Sequence, residues 1–169
     1  GITMIIAKNL TKRYGNIAAL NKISFTIEAG EAVALWGANG AGKTTLMKMF
    51  TGIIVPSSGN LEVLGYRPYE RDKEFRKKIS LVMGQKSQLW WDIPAMDSFL
   101  LLQKYYEIPQ KNFNERVGYL SDLLEVKKYL HIHVRKLSLG ERMKLELMAS
   151  LLHDPEIIFL DEPTIGLDL

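Results

Sequence analysis

The segment from Gly37 to Thr44 carries the residue types that bind phosphate groups. It reads Gly-Ala-Asn-Gly-Ala-Gly-Lys-Thr and fits the pattern G-x-x-x-x-G-K-[ST] at every fixed position. Small residues let the backbone approach phosphate oxygens closely, so that successive N–H groups point at them. The pattern therefore predicts a nucleotide phosphate site in which Lys43 reaches the β- and γ-phosphates and the Thr44 hydroxyl binds Mg²⁺.

The flanking sequence has the elements that such a loop requires. Ala32 to Trp36 is a wholly apolar run between glycines, which is typical of a strand buried on both faces. After the loop, apolar residues recur at helical spacing and predict a helix beginning near Lys43. Its N-terminus would add a favourable dipole for an anion. The alternative is a glycine-rich turn between a strand and a helix that binds nothing.

Two adjacent carboxylates follow a second apolar run. Ile157 to Leu160 predicts a buried strand, and Asp161 and Glu162 follow at its C-terminal end. Ligands of open α/β sheets bind at that end of the strands. Asp161 suits a partner of Mg²⁺ and Glu162 suits a general base for water. Alternatively, the pair is a solvated turn, because acidic residues commonly follow strands.

These two motifs and four smaller ones together resemble the ATP-binding cassette family. Their order matches the family throughout, and the resemblance covers essentially the whole chain. The smaller motifs correspond to the family's adenine-stacking aromatic residue, Q-loop glutamine, signature sequence and D-loop, which are here Tyr14-Gly15, Gln85, Leu137-Ser138-Leu139-Gly140-Glu141 and Gly166-Leu167-Asp168.

The resemblance implies an ATPase that uses ATP and Mg²⁺. Glu162 would activate water, with Lys43 and Gln85 as further catalytic residues. Thr44, Gln85 and Asp161 would surround Mg²⁺. The residues implied to contact the nucleotide are Tyr14, Gly37, Asn39, Gly40, Ala41, Gly42, Lys43, Thr44, Thr45 and, from the second subunit of a dimer, Ser138, Gly140 and Glu141.

The signature departs from the family's commonest form at two positions. Leu139 replaces a glycine and Glu141 replaces a glutamine, whereas Ser138 and Gly140 are kept. Ser138 followed three residues later by Glu141 also predicts a capping box for a helix running to about Leu152. This form of the signature resembles a bacterial subgroup of export-type cassettes related to viologen and drug exporters.

The remaining patterns predict a parallel α/β core with an inserted helical subdomain. The resemblance implies that this α/β fold is of the P-loop NTPase class, with a RecA-like parallel core and an N-terminal antiparallel β region. The predicted parts are a nucleotide-binding core at 1–85, the helical subdomain at 86–151 and a return to the core at 152–169. Further predicted elements are strands at Met4–Leu10, Ile23–Ile27, Leu61–Leu64 and Ile79–Met83 and a charged helix at Tyr69–Lys78.

Composition narrows the class of protein. The 169 residues are 47% hydrophobic and 24% charged, with a formal net charge of +3 and no cysteine. This balance suits a soluble intracellular domain and excludes disulfides and thiolate metal sites. The resemblance implies partners, namely an integral-membrane permease and a second cassette, with no nucleic acid. It also implies a cytoplasmic location on the inner face of the cell membrane.

The sequence defines the roles of two tryptophans and three histidines less closely than those of the motifs. Trp90 and Trp91 are either a dock for the permease or ordinary core, and we expect one to be buried and one to lie near an interface. His131 and His133 lack a third ligand for a metal site. His153, near a predicted helix end, is expected to make a favourable contact with the helix dipole.

The chain ends at Leu169, just after the D-loop motif. In the family, a further helix and a strand with a switch histidine follow, so we expect this chain to be part of a longer protein, with a gap in its core sheet and reduced stability. The alternatives to a transporter subunit are a soluble ribosome-associated ATPase and a fragment that binds ATP without turnover. A DNA-repair cassette is disfavoured because no heptads connect Gln85 to Ser138.

Overall fold

The computed structural model describes residues 2–30, 40–83 and 87–161. The chain folds as two compact units, Gly1–Arg76 and Lys77–Leu169. The strands are β1 (Thr3–Tyr14), β2 (Ile17–Glu28), β3 (Ser58–Val63), β4 (Ile79–Met83) and β5 (Ile157–Asp161). The helices are α1 (Gly40–Phe50), α2 (Lys73–Lys78), α3 (Ala95–Tyr105), α4 (Gln110–Leu123) and α5 (Leu139–Leu151), with short 3-10 turns at Pro68–Glu70, Lys127–Tyr129 and Val134–Lys136.

The first unit is built on an antiparallel sheet in the order β2-β1-β3. Ile5 on the central strand pairs with Ile27 on one side and Val63 on the other. Helix α1 packs against this sheet, where the Phe50 ring meets Phe25 edge-on at a centroid distance of 6.0 Å. Both hairpin strands run further than the sequence predicted, because register shifts along β1 interrupt the alternation of apolar residues.

The second unit combines two parallel strands with a helical layer. β4 pairs with β5 from Ile79 opposite Ile157 to Met83 opposite Asp161, and the predicted strand Ile79–Met83 has the observed bounds. Helices α3, α4 and α5 enclose one apolar cluster whose side chains come from residues 89 to 152. This cluster fixes the helix that carries the signature motif.

The predicted helix at Tyr69–Lys78 is wrong over its first half. A 3-10 turn at Pro68–Glu70 ends at Arg71, which adopts a left-handed conformation with φ of 52°. A new helix then begins after Asp72, whose side chain accepts hydrogen bonds from the N–H groups of Glu74 at 2.8 Å and Phe75 at 3.4 Å. A capping carboxylate thus restarts the helix, which the charge pattern did not reveal.

The predicted fold class is confirmed, since the chain is α/β with an antiparallel N-terminal sheet and parallel strands. The predicted boundaries at residues 85 and 151 stay predictions. The predicted strand Ala32–Trp36 lies outside the described residues, and so does the predicted gap beside it. Within the described ranges, no helix is long and apolar enough to cross a membrane.

Gly52, which follows α1, gives a test of this packing. Its φ is +83°, and a Cβ there would overlap the backbone carbonyl of Pro68. We expect Gly52→Ala to lower the free energy of unfolding by about 2–5 kcal/mol, from left-handed backbone strain and a forced backbone shift. Urea unfolding of the wild type and the variant measures this loss.

Gly65 supplies the matched control, because its φ is +80° but no atom of the part of the chain that the structure describes lies within 4 Å of the place where a Cβ would stand. Gly65→Ala should therefore show only the strain, about 1–2 kcal/mol. Equal losses in the two variants would contradict the close approach of Pro68 to Gly52.

Candidate functional site

Helix α1 begins at Gly40, inside the phosphate-binding pattern and three residues before Lys43. The spacing of large apolar residues predicted that the helix would start later, near Lys43. The first turn contains glycine and alanine, which do not contribute to the helical spacing of large apolar residues. Thr45 is buried, whereas Lys43 and Thr44 are partly exposed. The first turn contains no acidic residue, so no side chain of that turn neutralises the positive end of the helix dipole.

Part of the predicted site lies outside the described residues. This holds for Gly37, Asn39, Gln85 and Glu162, for the exposure of Gly40, and for the side chains of Ala41 and Asp161. The roles assigned to these residues from the sequence stay predictions.

Tyr14 ends β1 and lies at the hairpin turn, where it pairs with Ile17. Its side chain is 51% exposed, and the Lys12 ammonium lies 5.3 Å from the ring centroid. Lys12 is itself held by donating to the carbonyl of Val55 at 2.9 Å. A half-exposed ring of this kind has the surface that stacking on a flat aromatic ligand requires.

The carboxyl ends of β4 and β5 lie level with each other. Met83 is the last residue of β4 and pairs with Asp161, the last residue of β5. The chain therefore leaves both strands at one edge of the parallel pair, toward Gln85 in one case and Glu162 in the other. Edges formed by strand carboxyl ends are where α/β sheets place their ligands.

Ser138 caps helix α5 in the predicted manner, so the capping box is confirmed. Its hydroxyl accepts from the N–H of Glu141 at 3.2 Å, and its own N–H donates to the Glu141 carboxylate at 2.9 Å. Leu139 is exposed, and apart from the backbone of α5 itself no atom of the described residues lies within 4 Å of the place where a Cβ on Gly140 would stand. The first turn of the helix thus presents an open surface.

The cap has an electrostatic consequence for Glu141. The hydrogen bond from the Ser138 backbone N–H lowers the pKa of this carboxyl below its ordinary value, with smaller contributions in the same direction from the Ser138 hydroxyl, Tyr129 and Lys128. Desolvation acts in the opposite direction and does not reverse the sign. The capped form is therefore the ionised form.

The expectation for the two tryptophans is wrong, because neither is buried. Trp90 is 62% exposed and Trp91 is 53% exposed, whereas the preceding Leu89 is only 2% exposed and belongs to the apolar cluster. Leu89 therefore occupies the buried position that we expected one of the two tryptophans to occupy. The Arg142 guanidinium lies over the Trp91 ring, 4.4 Å from its centroid.

Two residues of α5 that the sequence interpretation missed contact the segment after Gln85. Arg142 stacks on Trp91, and Glu146 accepts hydrogen bonds from the backbone of Gln88 and Leu89. Their spacing of four puts them on one helix face. The sequence did contain a signal for such contacts, because two charged residues four positions apart flank the apolar residue Leu145 on one face of the helix.

The expectation for His153 is also wrong. Its ring lies parallel to that of Tyr106 at 3.8 Å, and its Nε2–H donates to the Ile79 carbonyl at 2.8 Å. Burial lowers its pKa, which disfavours the cation that a helix dipole would stabilise. Arg116 caps the end of α5 instead, by donating to the carbonyl of Leu151 at 2.6 Å.

His131 and His133 are both exposed. Across residues 2–30, 40–83 and 87–161, no three His, Cys, Asp or Glu side chains lie close enough together to hold a metal ion.

Comparison with known proteins assigns the family. The family described as ABC transporter matches residues 20–165. The chain is 36% identical over 168 residues to the probable multidrug ABC transporter ATP-binding protein YbhF of Escherichia coli, covering 99% of this chain and 29% of that protein. It is 33% identical over 160 residues to the Nod factor export ATP-binding protein I of Sinorhizobium fredii, covering 95% and 46%.

The fold is shared with solved structures as well. A structure described as the ATP binding subunit of an ABC transporter matches with a TM-score of 0.85 and 25% identity, over 97% of this chain and 68% of that one. The chain belongs to the ABC transporter family, as its motifs predicted. It spans less than half the length of the two relatives named above.

The lowered pKa of Glu141 predicts a specific pH dependence of stability. Because the pKa of Glu141 is lower in the folded than in the unfolded protein, the ionised carboxylate stabilises the fold. This contribution is fully present at pH values above the ordinary glutamate pKa of about 4.3, and it is lost as the pH falls through the lower pKa of the folded protein. Glu141→Gln keeps a side chain that can complete the cap. The difference in unfolding free energy between wild type and variant should therefore shrink below about pH 4.3.

Urea unfolding at a series of pH values measures that difference. Glu115→Gln, on an exposed position of α4, controls for the loss of one carboxylate. A difference between wild type and Glu141→Gln that stays constant down to pH 3 would contradict this interpretation of the cap.

Proposed function

We propose that this chain binds Mg·ATP at the N-terminus of α1 and hydrolyses it, as the ATP-binding part of an ABC exporter. The observation that carries the proposal is the start of α1 at Gly40, within the phosphate-binding pattern. A helix that opens inside a glycine-rich loop directs backbone N–H groups and the positive end of its dipole toward a phosphate.

The described residues fit this ligand. Lys43 and Thr44 are partly exposed on the first turns of α1, which contain no carboxylate that would repel phosphate. The exposed Tyr14 ring suits stacking on adenine. When bound, Mg²⁺ supplies charge neutralisation between the phosphates, with Thr44, Gln85 and Asp161 as its proposed protein ligands and partners.

The proposed reaction is attack of water on the γ-phosphate. Glu162 follows β5 directly and accepts a proton from the attacking water, while Lys43 stabilises the charge on the phosphate oxygens. Asp161 ends β5 level with Met83, which supports a shared edge for the magnesium partners.

We propose further that two cassettes close around the nucleotides. The first-turn N–H groups of Leu139 and Gly140 have no acceptor within α5, and the open surface there suits a phosphate bound to a second subunit. The names of the multidrug and Nod factor export relatives support an exporter. The protein would then lie on the cytoplasmic face of the membrane against an integral permease.

Lys43→Ala tests the phosphate site. We expect Mg·ATP affinity to fall by about 10- to 100-fold, because hydrogen bonds to charged groups contribute roughly 1.5–3 kcal/mol. Binding of a fluorescent ATP analogue, displaced by ATP, measures the affinity.

Lys48→Ala is the matched control, since Lys48 lies in the last turn of the same helix. Its affinity should equal that of the wild type. Equal affinities for all three proteins would show that Lys43 does not contact the phosphates.

Glu162→Gln separates binding from hydrolysis. The amide is nearly the same size but cannot accept the proton of water, so we expect ATP affinity to persist while turnover falls by at least about 100-fold. Phosphate release under saturating Mg·ATP measures turnover. Turnover at the wild-type rate would remove Glu162 from the proposed mechanism.

A further inference from the structure

We propose that Glu146 is a positioning residue that clamps the segment after Gln85 onto the signature helix, so that Ser87–Leu89 and α5 move as one body. We call the three residues Ser87–Leu89 the post-glutamine segment. The proposal rests on the proposed function, because it concerns how that site responds to nucleotide. Gln85 itself lies outside the described residues, two positions before Ser87 in the sequence.

The Glu146 carboxylate takes donors from all three residues of the post-glutamine segment. Its Oε2 accepts from the N–H of Gln88 at 2.9 Å. Its Oε1 accepts from the N–H of Leu89 at 3.3 Å and from the hydroxyl of Ser87. The Ser87 oxygen also accepts from the Leu89 N–H at 3.1 Å, which closes a local turn.

An ionised carboxylate is the group that this arrangement needs. It carries only acceptors on its two oxygens, so it can satisfy several donors together. An amide in its place would direct an NH₂ group at one of the backbone N–H donors. The clamp also orients the chain for burial, since Leu89 belongs to the same apolar cluster as Leu145, the residue before Glu146 on α5.

A second contact on the same face of α5 sets the direction of the chain. Arg142, one turn before Glu146, lies over the Trp91 ring at 4.4 Å. The Trp91 carbonyl accepts from the N–H of Arg135 at 3.1 Å. The chain from Ser87 to Trp91 therefore runs along α5 toward the end of the helix that Ser138 caps.

This geometry couples two parts of the proposed site. Glu146 lies eight residues after Ser138, which is about 12 Å along a continuous helix. A displacement of the post-glutamine segment is thus transmitted to the signature end of α5 without relying on a flexible loop. Without the clamp, the two parts would bind nucleotide as before but reach the closed arrangement less often.

The test compares Glu146→Ala and Glu146→Gln with Glu115→Ala, an exposed glutamate on α4, in the protein that carries this chain. Two quantities are measured, namely amide hydrogen exchange at Gln88 and Leu89 and the ATPase parameters kcat and KM. We expect Glu146→Ala to raise exchange at both amides by about 10-fold or more, since a hydrogen bond to a charged acceptor is lost.

The kinetic expectation is a split between the two parameters. For Glu146→Ala, kcat should fall by about 10-fold or more through misplacement of catalytic groups, while KM for ATP stays within about twofold. Glu146→Gln keeps the size of the side chain and one acceptor oxygen, so it should lie between Glu146→Ala and the wild type in both measurements. Glu115→Ala should equal the wild type.

The outcomes separate this proposal from the proposed function. If the wild type hydrolyses ATP and both Glu146 variants match Glu115→Ala in exchange and kcat, the clamp is overturned. Faster exchange with unchanged kcat would also overturn it, because the contact would then be structural only. If the wild type shows no ATP binding, the proposed function fails, whereas exchange at Gln88 and Leu89 still decides whether Glu146 holds the segment.

Discussion

This structure depends on one constraint, which is that the first backbone N–H groups of a helix have no acceptor within the helix. Each of them must therefore donate to a side chain, to water or to a ligand. In α5 the Ser138 side chain satisfies the N–H of Glu141 and leaves the turn at Leu139 and Gly140 open. In α1 the chain instead opens with glycine and alanine, and no acidic side chain stands in the first turn. The first turn of α1 therefore carries no acidic side chain that would repel an anion, whereas the first turn of α5 carries Glu141, whose carboxylate accepts the hydrogen bond of the cap.

These first turns can take the proposed roles only if the rest of each unit fixes the position of its helix. Phe50 fixes α1 against the sheet through Phe25. Helix α5 is fixed at its other end by Arg116, which donates to the carbonyl of Leu151, and along one face by the residues that follow Gln85. The His153 side chain then ties the end of this helix region to β4 through the Ile79 carbonyl. Polar contacts, and not only apolar burial, therefore position the signature.

The features that could be predicted from the sequence are those that depend on residues close together in the chain. The strand Ile79–Met83, the cap by Ser138 and Glu141 and the helix in the phosphate pattern all follow from local periodicity or spacing. One error is local, since the cap by Asp72 that restarts α2 was not recognised. The other errors concern contacts between residues far apart in the chain. Glu146 and Gln88 are 58 positions apart, and His153 and Ile79 are 74 apart. Local patterns can mark a face of a helix, as Arg142 and Glu146 do, but they do not identify the distant partner. The exposure of Trp90 and Trp91 and the neutral state favoured for His153 therefore could not be predicted.

The central claim is that a nucleotide binds at the N-terminus of α1. Amide hydrogen exchange with and without Mg·ATP tests it most directly, since it reports the location of binding as well as its existence. The account predicts slower exchange in the first turn of α1, from Gly40 to Lys43, and, where two copies associate, also at Leu139 and Gly140. Unchanged exchange in α1 under saturating Mg·ATP, or protection confined to another part of the chain, would contradict it.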